Sequence, residues 1–500
     1  MKRSGPGCYH EVTGFRVNSF KMIELDLGLC FPSRGSRPKD VADMIDPRVA
    51  SGLRDIPPSA MIPRELILAL FRKTFAGFGF VPIETPHIER MEVLTGKGAG
   101  SDEVLRQIYS VTNKGGEPGE LALRFDLTVP LARFVAKHRN DLSWPFKRYA
   151  IGSVFRGERP AKGRFREFVQ CDFDSVGTTS PIADAEIPQV IHAALIAIGI
   201  PPFTITLNNR KILDGLLTSL GIEAKTGAVL RSLDKLAKIG REGVRDELVR
   251  EAGDGGSNGP TLAENEASAV LDFAEKGRGG IEVLDAVESK LAEVPSVAEG
   301  ISNLREIFAL LEAARVSADR LKIDLGLARG LDYYTGVVYE TTVDGFEKFG
   351  SIASGGRYDN LTRLFTDQPL PGVGASIGLD RLISLLEESG WSKGPATTVP
   401  VLLVDSPGTD PRHIVGLAAR LRLAGIGAEV YPDAIQTGKQ FQYGSAKGHK
   451  LAVIVGPAEQ ESMTFNLRDL GTREERKGLS WSDLEAVVAA SLGTNEGGGA

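Results

Sequence analysis

Two runs of alternating side chains, RYAIGSVFRGE from Arg148 to Glu158 and RFREFVQCDFDSV from Arg164 to Val176, constrain the fold of this chain more than any other feature. A period of two places successive side chains on opposite faces of a strand. Five residues, Arg159 to Gly163, separate the runs, with Pro160 and Gly163 among them. The pair reads as an antiparallel hairpin with a substantial loop. On the second strand one face presents Arg164, Arg166, Phe168, Gln170, Asp172 and Asp174, and the other Phe165, Glu167, Val169, Cys171 and Phe173. Arg156 and Glu158 share a face of the first strand, beside the loop.

Five hundred residues exceed what one hydrophobic core usually serves, so two or three domains are expected. Residues 1–50 mix Gly, Pro, Ser and Arg without periodicity and read as a flexible extension. From Met61 to Phe80, Leu66, Ile67, Leu70 and Phe71 recur at helical spacing, with Pro63 suited to a first helical position. GFGFVPIETP follows as a strand through Phe80, Val81 and Ile83, closed off by Pro86. Residues 181–198 predict a helix kinked at Pro188, and a polar, helix-rich stretch occupies about 207–320, broken by the loop EAGDGGSNGPTLAENE. Strand-like sequence returns at Leu321–Glu340 and Gly350–Gly356, and GVGASIGLDRLISLLEE joins a glycine-rich turn to a helix. Beyond the linker SGWSKGPATTVP, strands VPVLLVDS, GAEVYP, LAVIVG and MTFNLRDL alternate with helices, which predicts a compact α/β domain with a mostly parallel sheet. The expected class is α+β: an antiparallel-sheet domain over 51–395 carrying the helical insertion, then an α/β domain over 398–495.

Several function classes fall away. Cys8, Cys30 and Cys171 are far apart and form no CxxC pair, which suits a reducing cytoplasm and argues against a structural zinc. The six histidines, among them His87, His138 and His192, are equally scattered, so no tight metal site is expected. No run of about 18 apolar residues and no apolar leader flanked by a cleavage site is visible, so a soluble, cytoplasmic chain without a membrane partner is expected. A net charge of −6 means that any nucleic-acid contact must come from local patches.

Guanidinium groups, an aromatic ring, an amide and carboxylates thus gather on one small sheet surface. Such a face suits a solvated strand with cross-strand ion pairs. It equally suits a triphosphate and a purine, because arginine forks match phosphate oxygens and stack on aromatic systems. Gly372, Gly374 and Gly378 are spaced GxGxxxG after a poor strand, so they fail as a dinucleotide fingerprint, and no GxxxxGK[ST] loop exists. A nucleotide would have to be held by arginines.

FRGERPAKGRFREF resembles motif 2 of class II aminoacyl-tRNA synthetases, and GFGFVPIETP and GVGASIGLDRL resemble motifs 1 and 3. ARGLDYYTG, Ala328 to Gly336, and SIASGGRYDNL, Ser351 to Leu361, resemble the two histidine-specific signatures of histidyl-tRNA synthetases. RFDLTVPLAR, LNNRKILDG and the carboxy-terminal domain are similar to the same family, so the resemblance runs from about residue 50 to about 490. It implies a class II catalytic domain followed by an anticodon-binding domain, and a histidine–tRNA ligase that activates L-histidine with ATP before transfer to tRNA(His). On matching positions it implies that Arg156 and Arg381 hold ATP phosphates, that Phe168 stacks on adenine, and that Glu158 and Arg164 complete the ATP site. Asp126, Thr128 and Gln170 would hold the amino-acid end of histidine. Asp174 and Tyr334 would reach its imidazole, with Tyr333 lining the pocket. Arg329, with Arg156, would be catalytic, facing the α-phosphate where the carboxylate attacks. Mg2+ is expected with the nucleotide, Glu158 or a nearby carboxylate assisting, and no zinc. A homodimer with motif 1 at its interface is implied as well. The alternative is the catalytically silent, synthetase-like regulatory subunit of ATP phosphoribosyltransferase, which typically lacks the anticodon-binding domain. RFDLTVP, with Asp126, departs from the RPEGT version common in bacterial enzymes and leaves open how the tRNA acceptor end, with or without an extra 5' guanosine, is read.

For RNA, Gln436 to Lys450, QTGKQFQYGSAKGHK, combines three lysines, a histidine, Phe441 and Tyr443 with no acid. That composition fits unstacked bases and phosphates, with Lys439 and Lys447 as candidate tRNA contacts, and it also fits an exposed basic helix with core aromatics.

Overall fold

The computed structural model describes residues 45–96, 102–112, 115–116, 119–250, 260–291, 293–328, 334–391, 394–433 and 435–492. The expected extension at 1–50 falls almost wholly outside the described residues, as does the glycine-rich end.

The hairpin lies within a nine-stranded sheet. Its strands are β1 (Val81–Pro82), β2 (Phe146–Phe155), β3 (Glu167–Val176), β4 (Phe203–Asn209), β5 (Arg278–Gly279), β6 (Leu321–Asp324), β7 (Val337–Val343), β8 (Ala353–Tyr358) and β9 (Gly372–Gly378). Their spatial order is β1-β2-β3-β9-β8-β7-β4-β6-β5. Neighbours run antiparallel except β1 with β2 and β4 with β6. Between β2 and β3 the connection is longer than the five residues expected, although Arg156 N–H still donates to the Arg166 carbonyl at 2.9 Å.

Alternation assigns the two faces. Cys171 and Phe173 of β3 enter the main core with Ile67, Phe71 and Phe75 of the helix Pro58–Gly77 and with Ile187 and Ile191 of the helix Pro181–Ile198. The other face of β3 carries Phe168, Gln170, Asp172 and Asp174, away from that helical layer. Pro58, not Pro63, takes the first helical position of Pro58–Gly77, because the dipeptide Pro57-Pro58 already supplies the pre-set φ and Pro63 lies in the second turn. The buried stripe is Arg64, Ile67, Leu68, Phe71 and Phe75, while Leu66 is 64% and Leu70 37% exposed. Pro181–Ile198 continues as one helix through Pro188, capped by the Ser180 hydroxyl, and its apolar length is absorbed by the core.

Where a glycine-rich turn was expected at GVGASIG, the structure has strand β9. Its glycines serve close approach rather than turning: a Cβ on Gly372 would meet the Tyr358 ring at 2.4 Å, and one on Gly374 the Asp174 carboxylate at 2.1 Å.

The helix-rich stretch begins only after β4 ends at Asn209. Part of it builds a satellite core from Leu213, Leu217, Val229, Leu230, Val270 and Leu271, whereas the helix Pro295–Ala313 returns to the main core through Ile301, Leu304 and Ile307.

A separate sheet follows, from β10 (Val401–Asp405), β11 (Ala428–Val430), β12 (Leu451–Val455), β13 (Phe465–Asp469) and β14 (Glu475–Leu479), in the order β11-β10-β12-β13-β14. β10 is parallel to β11 and β12, but β13 and β14 are antiparallel, so the sheet is mixed rather than mostly parallel. The segment 456–464, with only the helix Pro457–Ser462, is shorter than the dozen or so residues a parallel crossover needs. Its own core gathers Val401, Leu403, Leu417, Leu421, Val453 and Leu484.

Candidate active site

The register of the large sheet brings three rows of side chains together. Arg148 of β2 lies opposite Asp174 of β3, which lies opposite Gly374 of β9, which lies opposite Gly356 of β8. The next row reads Ala150, Asp172, Ser376, Ser354, and the third Gly152, Gln170, Gly378. In the first row the glycines leave a floor: a Cβ on Gly356 would strike the Tyr334 ring at 2.8 Å.

Two cavities open over these rows. One, of about 200 Å³, is bordered by Arg156, Glu158, Arg164, Phe168, Gln170 and Arg381 among others. The second, of about 260 Å³, is bordered by Asp126, Thr128, Gln170, Asp174, Tyr334 and Tyr358. Arg156, Gln170, Ser354 and Ser376 border both. The residues expected to hold ATP therefore share one cavity, and those expected to hold histidine share the next, with Arg156 and Gln170 at the junction. Arg329 and Tyr333 lie outside the described residues.

The arginine-rich cavity is preorganised. The Arg156 guanidinium lies 4.4 Å from the Phe125 ring centroid and 5.2 Å from that of Phe168, and its Nε donates to the Phe125 carbonyl at 3.2 Å. Arg164 and Glu158 approach to 3.5 Å. Arg381 donates to the Ser351 carbonyl. Next to it in sequence, Asp380 is held by Arg54 and, at 2.7 and 3.1 Å, by the Arg64 fork, while it accepts from Val169 N–H at 2.7 Å. The helix bearing Arg381 is thus tied to β3 and to the helix Pro58–Gly77.

The second cavity is acidic and buried. Asp174 faces Arg148 Nη2 at 2.7 Å through Oδ2 and accepts from the Tyr358 hydroxyl at 2.6 Å through Oδ1. Asp126 accepts from Val129 N–H at 3.1 Å, at the entry to the helix Thr128–Lys137. Gln170 Nε2 donates to Ser376 Oγ at 2.9 Å, leaving Oε1 buried without a hydrogen-bond partner and able to accept from a ligand. Burial raises the Asp126, Asp172 and Asp174 carboxyls above the ordinary range, with the Arg148 charge opposing the shift at all three. Asp172 reaches about 7.

Arg148, Tyr358, Ser354 and Ser376 were not singled out from sequence. The signal was present: Arg148 has the same parity as Arg156 and shares a buried face of β2 with Ala150 and Val154. In the carboxy-terminal domain Lys439 is exposed, but Lys447 is ion-paired to Glu429 at 2.9 Å and bonded to the Tyr443 hydroxyl at 3.0 Å. A cluster without an acid in sequence thus acquires one from β11. A larger cleft of about 670 Å³ between Pro58–Ile62 and β11 is mainly apolar, its charged groups Arg422, Glu429 and Lys447 already bonded within the fold.

An antiparallel sheet with helices on one face and an arginine-lined cavity beside an acidic one on the other, followed by a separate α/β domain, is the architecture of a class II aminoacyl-tRNA synthetase. The histidyl-tRNA synthetase family model matches residues 52–382, and that of an anticodon binding domain matches 411–491. A histidine–tRNA ligase of Rhodopirellula baltica is 49% identical, over 90% of this chain and 100% of its own length. One from Wolinella succinogenes is 43% identical over 90% and 99%. The crystal structure of histidyl-tRNA synthetase from Nostoc superposes with a TM-score of 0.78 at 35% identity, covering 89% of this chain and all of the other. The chain belongs to the histidyl-tRNA synthetase family. A Bacillus halodurans structure described as an ATP phosphoribosyltransferase regulatory subunit/histidyl-tRNA synthetase, with a TM-score of 0.66 at 21% identity, shares the fold.

Proposed function

We propose that this chain is a histidine–tRNA ligase: it condenses L-histidine with ATP to histidyl-adenylate and pyrophosphate, then transfers the histidyl group to the 3' end of tRNA(His). The observation that carries the reading is the pair of cavities meeting at Arg156 and Gln170, one arginine-lined and one acidic. A histidine carboxylate oxygen attacks the α-phosphorus, the bond to the bridging oxygen breaks, and pyrophosphate leaves. The terminal ribose hydroxyl of the tRNA then attacks the histidyl carbonyl, and AMP leaves. Neither step needs a covalent protein nucleophile, and both depend on positioning and on charge held where it develops.

In this reading Phe168 supports the adenine, Arg381 and Arg164 meet the outer phosphates, and Arg156, with Arg329 by family resemblance, neutralises charge on the α-phosphate. Asp126, Thr128 and Gln170 hold the amino-acid end of histidine, and the Gln170 carbonyl oxygen is a ready acceptor for its ammonium. Asp174, Tyr334 and Tyr333 read the imidazole. Glu158 fits a Mg2+ accompanying ATP, since the ion takes one or two carboxylates with phosphates and water, and Asp380 is already consumed by two arginines. When bound, Mg2+ lowers the negative charge of the phosphates.

Residues 51–395 would carry the chemistry, with the helical insertion near the acceptor stem, and 398–495 would read the anticodon. A homodimer is proposed across the motif 1 region, where Leu66, Leu70 and Val81 are exposed. A cytoplasmic location fits the three scattered cysteines of the sequence, which form no CxxC pair. The regulatory-subunit alternative is not favoured, because the anticodon-binding match is present and the relatives that cover this chain nearly end to end are ligases.

The test is ATP–pyrophosphate exchange with each amino acid singly, then charging with tRNA added. Exchange with histidine alone, followed by charging, is expected. Silence with every amino acid from a folded, histidine-binding protein would favour the regulatory subunit.

A further inference from the structure

We propose that Arg148 is the positioning residue for histidine recognition: from beneath the sheet surface it fixes Asp174 as the negatively charged acceptor for the imidazole N–H. The inference rests on the reading of Asp174 given above.

Arg148 is fully buried, on a strand face it shares with the buried apolar residues Phe146, Ala150 and Val154. A guanidinium in such a place is costly unless it is paired, so its retention calls for a partner that needs it. Three buried carboxylates surround it: Asp126, Asp172 and Asp174. Each of these like charges opposes the ionisation of its neighbours in a low dielectric. Arg148 selects among them by geometry. It stands opposite Asp174 in strand register, with Nη2 2.7 Å from Oδ2. The same Nη2 donates to the Leu127 carbonyl at 3.2 Å, which ties the guanidinium to the segment carrying Asp126 and Thr128. One side chain thereby joins the two segments proposed to hold the two ends of histidine.

Tyr358 completes the arrangement by donating to Oδ1 of the same carboxylate. Each carboxylate oxygen has two lone pairs, so after Arg148 and Tyr358 are served an acceptor position remains for the ligand. Burial favours the neutral acid at Asp174, and the Arg148 charge is the largest influence opposing it. Without Arg148, burial acts on Asp174 with its main opposition gone, and the balance moves further towards the neutral acid. A neutral carboxylic acid loses the charge that strengthens a bond from an imidazole N–H, and its own O–H takes up part of the space where that N–H would be accepted.

The experiment uses the full chain and two variants, R148M, which keeps bulk and removes charge, and R148K, which keeps charge without the fork. Histidine affinity is read by titration calorimetry, and the histidine and ATP KM values by pyrophosphate exchange. R148M is expected to bind histidine at least about tenfold more weakly, with the ATP KM within about threefold of wild type. The deficit, taken relative to wild type in the same buffer, is expected to shrink as pH rises and Asp174 ionises unaided. R148K is expected to recover part of the affinity. Histidine binding by R148M within about threefold of wild type overturns the proposal, as does a deficit independent of pH or an equal rise in both KM values. If R148M does not fold, R148K decides: weaker histidine binding at unchanged ATP KM supports the role, and unchanged binding refutes it. A wild-type chain that binds no histidine refutes the underlying reading instead, a distinguishable result.

Discussion

Gly374 offers the sharpest single perturbation of the cavity proposed to hold histidine. An alanine there adds one methyl group on the face that carries Asp174, with Cβ 2.1 Å from Asp174 Oδ1, 2.4 Å from its Cγ and 2.7 Å from the Phe173 carbonyl oxygen. These approaches are about 1 Å or more inside favourable van der Waals separation, so the carboxylate must retreat. The Phe173 carbonyl belongs to β3 and cannot yield without disturbing the β3–β9 ladder. Retreat breaks the 2.6 Å bond from Tyr358 and lengthens the 2.7 Å contact with Arg148. Overpacking of this kind costs about 1–3 kcal/mol, and a local loss of that size corresponds to a rise in histidine KM between about fivefold and about 150-fold. The ATP KM should move little, because Gly374 does not border the arginine-lined cavity. The assay is pyrophosphate exchange at varied histidine and varied ATP, with thermal unfolding alongside. Gly355→Ala is the control: its Cβ, 2.1 Å from the Gly374 carbonyl, points to the opposite face and should lower stability without a histidine-selective defect. A folded G374A enzyme with a wild-type histidine KM would refute the placement of the imidazole on this glycine floor.

Asp380→Asn leaves Arg64, whose side chain is 5% exposed, without its charge partner, and is expected to destabilise the fold by about 3 kcal/mol in denaturant and to raise the ATP KM through Arg381; an unchanged midpoint would count against the pair as an anchor. Asp172 holds its proton to about pH 7 when folded, against an ordinary carboxylate value near 4 when unfolded, so folding takes up a proton between those values. Its contribution therefore favours the folded state at low pH and is lost as pH rises through about 4 to 7, by at most about 1.4 kcal/mol per pH unit. The Tm of Asp172→Asn minus that of wild type should accordingly be larger at pH 8 than at pH 5, and equal differences would contradict a raised Asp172. Lys439→Ala should reduce the salt slope of tRNA binding by about 1, whereas Lys447→Ala, losing the Glu429 pair, should shift the stability of the carboxy-terminal domain and leave that slope unchanged.

How much of this could be read from sequence depends on whether a residue's partner is near in the chain or across the sheet. Period two in RFREFVQCDFDSV located Phe168, Gln170 and Asp174 on one face and Cys171 and Phe173 on the other, and the structure keeps that division. The same local rule misled at GVGASIG. Glycine clusters usually turn, and only the neighbouring strands, which bring Tyr358 and Asp174 within 2.4 and 2.1 Å of the missing Cβ atoms, explain why these glycines stay extended. The ion pair of Lys447 was hidden for a related reason, since its partner Glu429 is 18 residues away on another element. Pro63 was misplaced because two candidate prolines lay within six residues and local sequence does not rank them. Arg148 is the instructive case, because its parity was legible and its meaning was not. An arginine sharing a face with Phe146, Ala150 and Val154 has no evident role until Asp174 is found opposite it in register. Buried charge becomes interpretable only once the compensating charge is known, and in a sheet that charge sits on the adjacent strand. Sequence patterns therefore reach the residues that border a cavity sooner than those that hold such residues in place.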